Sequence, residues 1–535
     1  MDWTPTHLPY RQTGYFSKII TDYLERAGSL TPYYTHPVSL EGIEASLRAR
    51  QQSPVNREVL VAALKEQYKA IEAEDTPVRQ NIDRLLQANT FTICTAHQPA
   101  IFTGPLYFIY KIIHTIKLAD ELAKKYPQHQ FVPVFYMGSE DADLEELGKI
   151  YLDQEKLVWD TKQTGAVGRM KTKGLEKILN RVEGELSVQP FGGDLVRRVK
   201  EIYLGSPDIQ TATFRLLHHL FAEYGLVVLI PDNASLKRLM IPVFGDDLFQ
   251  GIPTRVVNET IDRLSREYKV QANPRPINLF YLKDDLRGRI ERVGDLFKVH
   301  DSTLEFSEQA IREELDTHPE RFSPNVILRG LFQETILPNI AFIGGGGETA
   351  YWLELKDLFT HYKVPFPMLI LRNSFLLVEA AWREKLERAG LGLTELFKPE
   401  TVLVNELVKR ESGLQLSLSE EITTANQYYE KLKTLARPVD PTLVQHVEAL
   451  QKKALDPLQG LEKKLLKAEK RKFADQQRQI HALKSALFPL NGLQERIDNF
   501  MPWYAARGQQ FIKDLYRHSL TLEQEFVVVG EKGQA

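Results

Sequence analysis

Two short apolar runs, separated by a segment of helix length, constrain the fold of this chain more than any other feature. Residues 91–95 and 131–137 are rich in β-branched and aromatic side chains, which predicts two buried strands. Between them, apolar residues recur at helical spacing from Leu106 to Leu118. Pro105 stands where a helix can begin, because its missing N–H is not needed there. A strand, a helix and a second strand in this order predict a βαβ unit with parallel strands.

The first 400 residues continue this alternation. Further buried strands are predicted at residues 226–230, 279–282, 326–328, 340–343 and 368–371, with helical or irregular segments between them. The stretches at about 152–220 and 245–322 are richer in charge and lack a sustained strand pattern, so we interpret them as insertions. Residues 1–400 are therefore predicted to form an α/β core around an open parallel sheet.

The composition changes after about residue 400. From Leu443 to Leu465, apolar side chains follow one another at steps of three or four residues, and the pattern resumes from Ile480 to Leu487. This predicts a helical coiled-coil domain at 401–515, with a kink at Pro457 and a C-terminal tail at 516–535. Nothing obvious within that segment covers the apolar seam, which favours a homodimer. A helical hairpin with residues 404–435 or 493–515 is the alternative.

The overall composition excludes several classes of protein. The 535 residues are 43% hydrophobic and 26% charged, as is typical of globular proteins, and 68 basic residues against 71 acidic ones give no overall field for nucleic acid. Cys94 is the single cysteine, which excludes an internal disulfide and multi-cysteine metal sites. No run reaches about 18 apolar residues, and the N-terminus does not resemble a signal peptide. We expect a cytoplasmic protein that binds neither membrane nor nucleic acid.

Five carboxylates follow the second strand of the βαβ unit, within residues 140–146. Open α/β sheets bind ligands at the carboxyl ends of their strands, so this run lies where chemistry is expected. The carboxylates could bind an ammonium group, hold a divalent cation or supply a general base. The alternative is an acidic helix N-terminus, which the helix dipole favours. His97, Gln98 and Thr103 follow the first strand and are expected nearby.

A glycine-rich turn at residues 344–347 precedes a predicted helix, and its spacing loosely fits a dinucleotide-binding loop. An NAD(P)-dependent oxidoreductase is therefore one alternative. Against it, Glu348 would stand where a pyrophosphate binds, and no acidic residue for a ribose ends the next strand. Arg329 and Arg372, at or near predicted strand ends, suit either an anionic ligand or structural ion pairs. Cys94 lies within an apolar strand and is interpreted as a buried side chain, not a nucleophile.

Several of these motifs, in this order, resemble the cysteine ligase family of bacillithiol biosynthesis (BshC). They are TAHQP at 95–99, FTGPLY at 102–107, YK at 110–111, PVF at 133–135 with SED at 139–141, VILR at 326–329, the glycine turn with AYW at 350–352, and RNSF at 372–375. The resemblance spans nearly the whole chain. Ala96, Ala100, Ala142 and Gly346 depart from the family pattern, and Ala142 stands where a histidine is common.

The resemblance implies a Rossmann-like core with connecting-peptide insertions and a coiled coil used for dimerisation. It also implies the addition of L-cysteine to glucosaminyl malate through an amide bond, the last step of bacillithiol biosynthesis. Amide formation needs an activated carboxylate, so ATP is the expected cofactor. Both an adenylate and an acyl phosphate stay open, and a divalent cation is compatible with the acidic run. A non-catalytic, nucleotide-binding coiled-coil scaffold is the alternative from another class.

The candidate residues fall into two groups. Those expected to be catalytic are His97, Gln98, Glu140, Asp141 and Asp143. Those expected to bind substrate are Thr103, Gly104, Tyr107, Lys111, Ser139, Arg329, Gly345, Gly346, Gly347, Glu348, Arg372, Asn373 and Ser374.

Overall fold

The structure is a computed structural model that describes residues 3–71, 76–414 and 416–531. Its strands, in chain order, are β1 (Trp3–Pro9), β2 (Thr90–His97), β3 (Gln130–Met137), β4 (Lys149–Leu152), β5 (Glu155–Val158), β6 (Val227–Leu229), β7 (Leu279–Lys283), β8 (Leu286–Val293), β9 (Leu296–Val299), β10 (Glu305–Ser307), β11 (Phe322–Pro324), β12 (Asn339–Gly344), β13 (Met368–Leu371), β14 (Ser374–Val378) and β15 (Glu525–Glu531).

The α-helices, in chain order, are α1 (Tyr10–Thr13), α2 (Lys18–Leu24), α3 (Leu40–Gln51), α4 (Arg57–Gln67), α5 (Pro77–Arg84), α6 (Tyr107–Lys125), α7 (Leu144–Leu147), α8 (Glu176–Leu186), α9 (Gly192–Leu204), α10 (Ile209–Phe221), α11 (Ala234–Arg238), α12 (Ile241–Gln250), α13 (Ile252–Leu264), α14 (Glu308–Thr317), α15 (Val326–Ile336), α16 (Gly346–His361), α17 (Ala380–Arg388), α18 (Glu400–Glu411), α19 (Ser419–Ala436), α20 (Leu443–Lys470), α21 (Ala474–Leu487), α22 (Phe500–Arg507) and α23 (Gln509–His518).

A five-stranded parallel sheet, in the order β13-β12-β2-β3-β6, forms the centre of the N-terminal part. Both faces of this sheet are covered, which is why β2 is buried along its whole length. Ile93 packs with Ile43 and Leu47 of α3, whereas the next residue, Cys94, belongs to the main core. The predicted βαβ unit is confirmed: β2 and β3 pair in parallel, and α6 lies between them in the chain.

One predicted strand is wrong. Residues 326–328 begin α15 instead, and the side chain of Asn325 caps this helix by accepting a hydrogen bond from the Ile327 amide. Three apolar residues in a row fit a strand or a helix equally, and the buried side chains of Leu331 and Ile336 continue the helical spacing.

A second, antiparallel sheet has the strand order β10-β9-β8-β7-β11. The run at 279–282 is a strand, as predicted, but it belongs to this sheet and not to the parallel one. The stretch 245–322 therefore contains regular hairpins, although its sequence shows no sustained strand pattern beyond the run at 279–282. These strands were not recognised because one side of each hairpin faces solvent and carries charged residues, which interrupt the apolar pattern.

A third sheet joins the two ends of the described chain. In it, β15 pairs antiparallel with β1 and parallel with β14. Part of the segment predicted as a C-terminal tail thus forms an ordered strand. The predicted division at residue 400 stays a prediction.

The helical region contains an antiparallel hairpin of α19 and α20. Gln451 donates a hydrogen bond to Asn426 (2.7 Å), and Lys433 lies 3.9 Å from Glu448. Pro457 lies within α20, which continues to Lys470. The hairpin is the alternative that the sequence left open, and the predicted dimer stays a prediction. Among the described residues, no helix is long and apolar enough to span a membrane.

Candidate active site

The carboxyl ends of all five parallel strands meet at one pocket of about 450 Å³, which we call the central pocket. The residues just beyond the strand ends line it, among them Gln98, Gly138, Pro231, Gly345 and Arg372. This is the edge at which open α/β sheets bind ligands. Of the predicted site residues, the pocket lining includes His97, Gln98, Tyr107, Lys111, Glu140, Asp141, Arg329, Gly345, Gly346, Gly347, Glu348 and Arg372.

Six predicted residues lie outside this lining: Thr103, Gly104, Ser139, Asp143, Asn373 and Ser374. Asp143 caps α7 by accepting a hydrogen bond from the Glu146 amide (2.9 Å). For this residue, the contact is the one expected from the alternative interpretation, an acidic helix N-terminus. Thr103 and Ser139 are buried, and the carbonyl of Gly104 accepts a hydrogen bond from Asn499. Asn373 accepts a hydrogen bond from the Leu520 amide, which anchors the C-terminal segment.

Asp141 is an ionised carboxylate between two strand ends. Gln98 donates a hydrogen bond to its Oδ2 (3.0 Å), which confirms that the segments after β2 and β3 meet. Burial acts to raise the pKa of Asp141, but the bond from Gln98 and the charges of Arg287 and Arg329 outweigh it. The pKa of Asp141 therefore lies below its ordinary value, and the group is suited to binding a cation.

Glu140 is less available than the sequence suggests. Its carboxylate forms a buried ion pair with Lys237 of α11, which also donates a hydrogen bond to the Glu320 carbonyl (3.0 Å). Asp232 lies 3.9 Å from the same ammonium group. Burial raises the pKa of Glu140, and the pairing with Lys237 offsets this only in part. The protein's own lysine thus occupies one side of this carboxylate.

Glu146 lies at the exposed rim of the central pocket. Partial desolvation, together with the neighbouring carboxylates of Asp143 and Asp141, raises the pKa of Glu146. A carboxylate with a raised pKa is a better proton acceptor than one with an ordinary value.

His97 is buried and neutral. Its Nδ1 lies 2.9 Å from the Gln98 carbonyl oxygen and its Nε2 lies 3.1 Å from the Tyr107 hydroxyl. Since a carbonyl only accepts, Nδ1 carries the proton and Tyr107 donates to Nε2. Burial and the charge of Lys111 lower the pKa of His97 to about 4. His97 therefore orients Tyr107 and is a weak base at neutral pH.

Glu348 and Lys111 neutralise each other. Lys111, which is buried in α6, donates hydrogen bonds to Glu348 and to the Ala96 carbonyl (2.8 Å). Glu348 also accepts a hydrogen bond from the Gly345 amide (2.7 Å) and so caps α16. The cation that Glu348 binds is thus a side chain of this protein.

The two predicted arginines differ in their environment. Arg372 forms a buried bidentate ion pair with Glu495 (2.9 and 2.6 Å), which is the structural alternative that the sequence left open. Arg329 lies in the first turn of α15, not at a strand end, and donates a hydrogen bond to the Tyr351 hydroxyl (2.9 Å). It faces the pocket close to Gly138.

Sequence reasoning missed Lys237, Arg287 and Arg496. Lys237 pairs with Glu140, and the other two line the central pocket. They come from α11, from the second sheet and from the C-terminal region, and no motif or spacing relates them to the glycine turn or the acidic run. Only the tertiary fold brings them to the site.

The five carboxylates of residues 140–146 do not converge on one point. Over residues 3–71, 76–414 and 416–531, no three side chains of histidine, cysteine, aspartate or glutamate come together as a metal site. Any divalent cation here would need most of its ligands from a substrate.

Comparison with known proteins agrees with this architecture. Residues 3–373 match the model of the bacillithiol biosynthesis BshC N-terminal Rossmann-like domain. Residues 375–531 match that of the BshC C-terminal coiled-coil domain.

Three relatives carry the name "putative cysteine ligase BshC". The Flavobacterium johnsoniae protein is 41% identical over 98% of this chain and 99% of its own length. The Flavobacterium psychrophilum protein is 38% identical over 98% of each chain. The Christiangramia forsetii protein is 38% identical over 98% of this chain and 99% of its own. With a Rossmann-like core, a helical C-terminal region and full-length relatives of this kind, the chain belongs to the BshC family of bacillithiol biosynthesis.

Proposed function

We propose that this protein joins the carboxyl group of L-cysteine to the amino group of glucosaminyl malate in an ATP-dependent reaction that completes bacillithiol. The name of its full-length relatives supports a cysteine ligase. The bond formed and the use of ATP are inferred from the chemistry, because an amine attacks a carboxylic acid only after the acid is activated.

One observation carries this proposal. The central pocket combines anionic and cationic groups that are not paired with each other: the carboxylates of Asp141 and Glu146, and the guanidinium of Arg287. An amide ligase must bring an amine together with anionic carboxylate and phosphate groups. The pocket offers complementary charge to both kinds of group.

The two carboxylates suit different steps. Asp141, whose pKa is lowered, would bind the ammonium form of the attacking amine. Glu146, whose pKa is raised, would accept the proton that the amine must lose before it attacks. Glu140 would contribute through the oxygen that Lys237 does not hold. Tyr107, which donates its one hydroxyl proton to His97, could accept a hydrogen bond from an N–H or O–H group of the substrate.

ATP would enter the same pocket, where Arg329 and Arg496 are suited to phosphate oxygens. Mg²⁺ bound mainly by nucleotide phosphates fits a site with few free carboxylates. A single buried cysteine suits a reducing compartment, so we further propose that the reaction takes place in the cytoplasm.

The test uses the full-length protein with L-cysteine, glucosaminyl malate, ATP and Mg²⁺, followed by mass spectrometry of the thiol product. We expect bacillithiol to form only when all substrates are present. Glu146→Gln, which removes the proton acceptor at the pocket rim, should lower the rate about 10²-fold or more. Nucleotide binding without turnover would instead favour a non-catalytic scaffold.

A further inference from the structure

Arg287 presents an unpaired guanidinium group to the central pocket. It lies on β8 of the second sheet, and none of the hydrogen bonds or ion pairs among the described residues involves its side chain. Its Nε is shielded from solvent and has no partner. The group stacks on the ring of Phe280, 3.8 Å from the ring centroid, which fixes its plane.

An unpaired charge in such a position is unfavourable for the free protein. Burial lowers the pKa of Arg287, and the carboxylates of Asp141 and Glu140 compensate only from a distance. Proteins normally pair a desolvated guanidinium with a hydrogen-bonded anion, because an unpaired one loses its hydration without replacement. A guanidinium group that is held in place by stacking and has no hydrogen-bond acceptor within the protein is suited to binding an anionic ligand.

Ser323 provides a second, independent observation. It is completely buried, it lines the same pocket, and its hydroxyl has no hydrogen-bond partner. Ser323 on β11 stands directly opposite Phe280 on β7, which in turn stands opposite Arg289 on β8. Since side chains two residues apart share a face of a strand, Arg287, Phe280 and Ser323 lie on the same face of the second sheet.

We propose that Arg287 and Ser323 form an oxyanion subsite that holds a carboxylate or phosphate group of a substrate. The guanidinium fork would bind two oxygens, and the serine hydroxyl would donate a further hydrogen bond. The identity of the substrate rests on the proposed function: the anion is a carboxylate of glucosaminyl malate or a phosphate of ATP. The second sheet then contributes to substrate recognition as well as to the fold.

The experiment measures anion binding to the full-length protein by calorimetry, with malate as the carboxylate probe and inorganic triphosphate as the phosphate probe. The variants are Arg287→Met, Ser323→Ala and the control Arg292→Met. Arg292 lies on the same strand and over the ring of Phe297, but outside the pocket lining. We expect one probe to bind wild type and control equally and Arg287→Met about 10- to 100-fold more weakly, with a smaller loss for Ser323→Ala. The probe that responds identifies the source of the anion.

The melting temperature without ligand provides the second readout. Arg287→Met should melt no lower than wild type, because it removes an unpaired charge. If Arg287→Met does not fold, Arg287→Lys keeps the charge, loses the fork and should also bind more weakly. The proposal is overturned if neither probe binds wild type, if the variants bind as wild type does, or if Arg287→Met folds but melts several degrees lower. Arg287-dependent anion binding without ligase activity would reject the proposed function alone.

Discussion

Ion pairs within the protein already neutralise several charged side chains around the central pocket. Lys111 pairs with Glu348, and Arg372 pairs with Glu495. The groups left for a ligand are fewer than the sequence suggests, and Asp141 is the one that stands out among the predicted residues. The predictions for single residues therefore concern side chains whose hydrogen bonds or burial the structure describes.

Asp141→Asn should lower product formation about 10²- to 10⁴-fold, because it removes the charge proposed to bind the amine. Folding should change little, since asparagine has nearly the same volume and can still accept the hydrogen bond from the Asp143 amide. The matched control is Asp143→Asn, which keeps a good helix cap outside the pocket and should lose far less activity than Asp141→Asn. Thermal melting and product formation are measured on the same preparations. A less stable but fully active Asp141→Asn would contradict the assignment.

His97 predicts a pH dependence of stability. Its pKa is about 4 in the folded protein and near 6.5 in a free side chain, so the unfolded state binds the proton first as the pH falls. Relative to His97→Gln, wild type should therefore lose free energy of unfolding between pH 6.5 and 4, by up to about 1.4 kcal/mol per pH unit. Above pH 6.5 the difference should be constant. Urea unfolding of both proteins at pH 7.5 and 5 checks this, and an unchanged difference would refute it.

Cys94→Ala should keep ligase activity. Cys94 is fully buried in β2, where burial raises the pKa of its thiol well above the ordinary value, so it is a poor nucleophile. The small cavity should lower the free energy of unfolding by about 1–2 kcal/mol. Activity per folded molecule, with folding followed by circular dichroism, is the measurement. A folded but inactive variant would point to a covalent intermediate on this thiol.

The site was only partly predictable from the sequence. Gln98 and Asp141 were predictable because they lie in the short segments that follow the two strands of a recognisable βαβ unit. Arg287 was not, because it reaches the pocket through a hairpin of another sheet. Ion pairs between distant residues could not be predicted either. Nothing in the sequence near Glu140 indicates that Lys237 forms an ion pair with it.

At the scale of elements, the parallel strands were predictable because strands buried on both faces form continuous apolar runs. The segments that were not predicted correctly are either very short or exposed to solvent on one side. Residues 326–328 are too few to tell a strand from a helix, and β8 mixes charged with apolar side chains. The hairpin of α19 and α20 was one of two open alternatives, since heptad-like spacing does not specify which helix covers the seam.

The apolar face of α20 that α19 leaves open predicts a dimer. Leu443, Leu450 and Leu461 stay 41%, 42% and 46% exposed after the hairpin forms. The double variant Leu450→Asp/Leu461→Asp should be a folded monomer, while wild type and the control Lys452→Asp, on the opposite face, should have the mass of a dimer. Light scattering measures the masses. Equal monomeric masses for wild type and the double variant would refute the dimer.

At the scale of the whole molecule, three regions meet at one pocket. The parallel sheet supplies its floor, the second sheet supplies Arg287, and the C-terminal region supplies Arg496 together with Glu495, which holds Arg372. The pairing of β15 with β1 joins both ends of the described chain. Local patterns could not predict this pairing, because it joins segments more than 500 residues apart. The site thus depends on the complete fold.

The most direct test of the proposed ligase follows the oxygen atoms of the cysteine carboxylate. L-cysteine labelled with ¹⁸O in both carboxylate oxygens is incubated with glucosaminyl malate, ATP, Mg²⁺ and the protein, and all products are weighed by mass spectrometry. Activation by ATP predicts one ¹⁸O in the amide of bacillithiol and the other in AMP or in phosphate, which also distinguishes an adenylate from an acyl phosphate. Bacillithiol formation without transfer of ¹⁸O to either, or no bacillithiol at all from the complete mixture, would contradict the account.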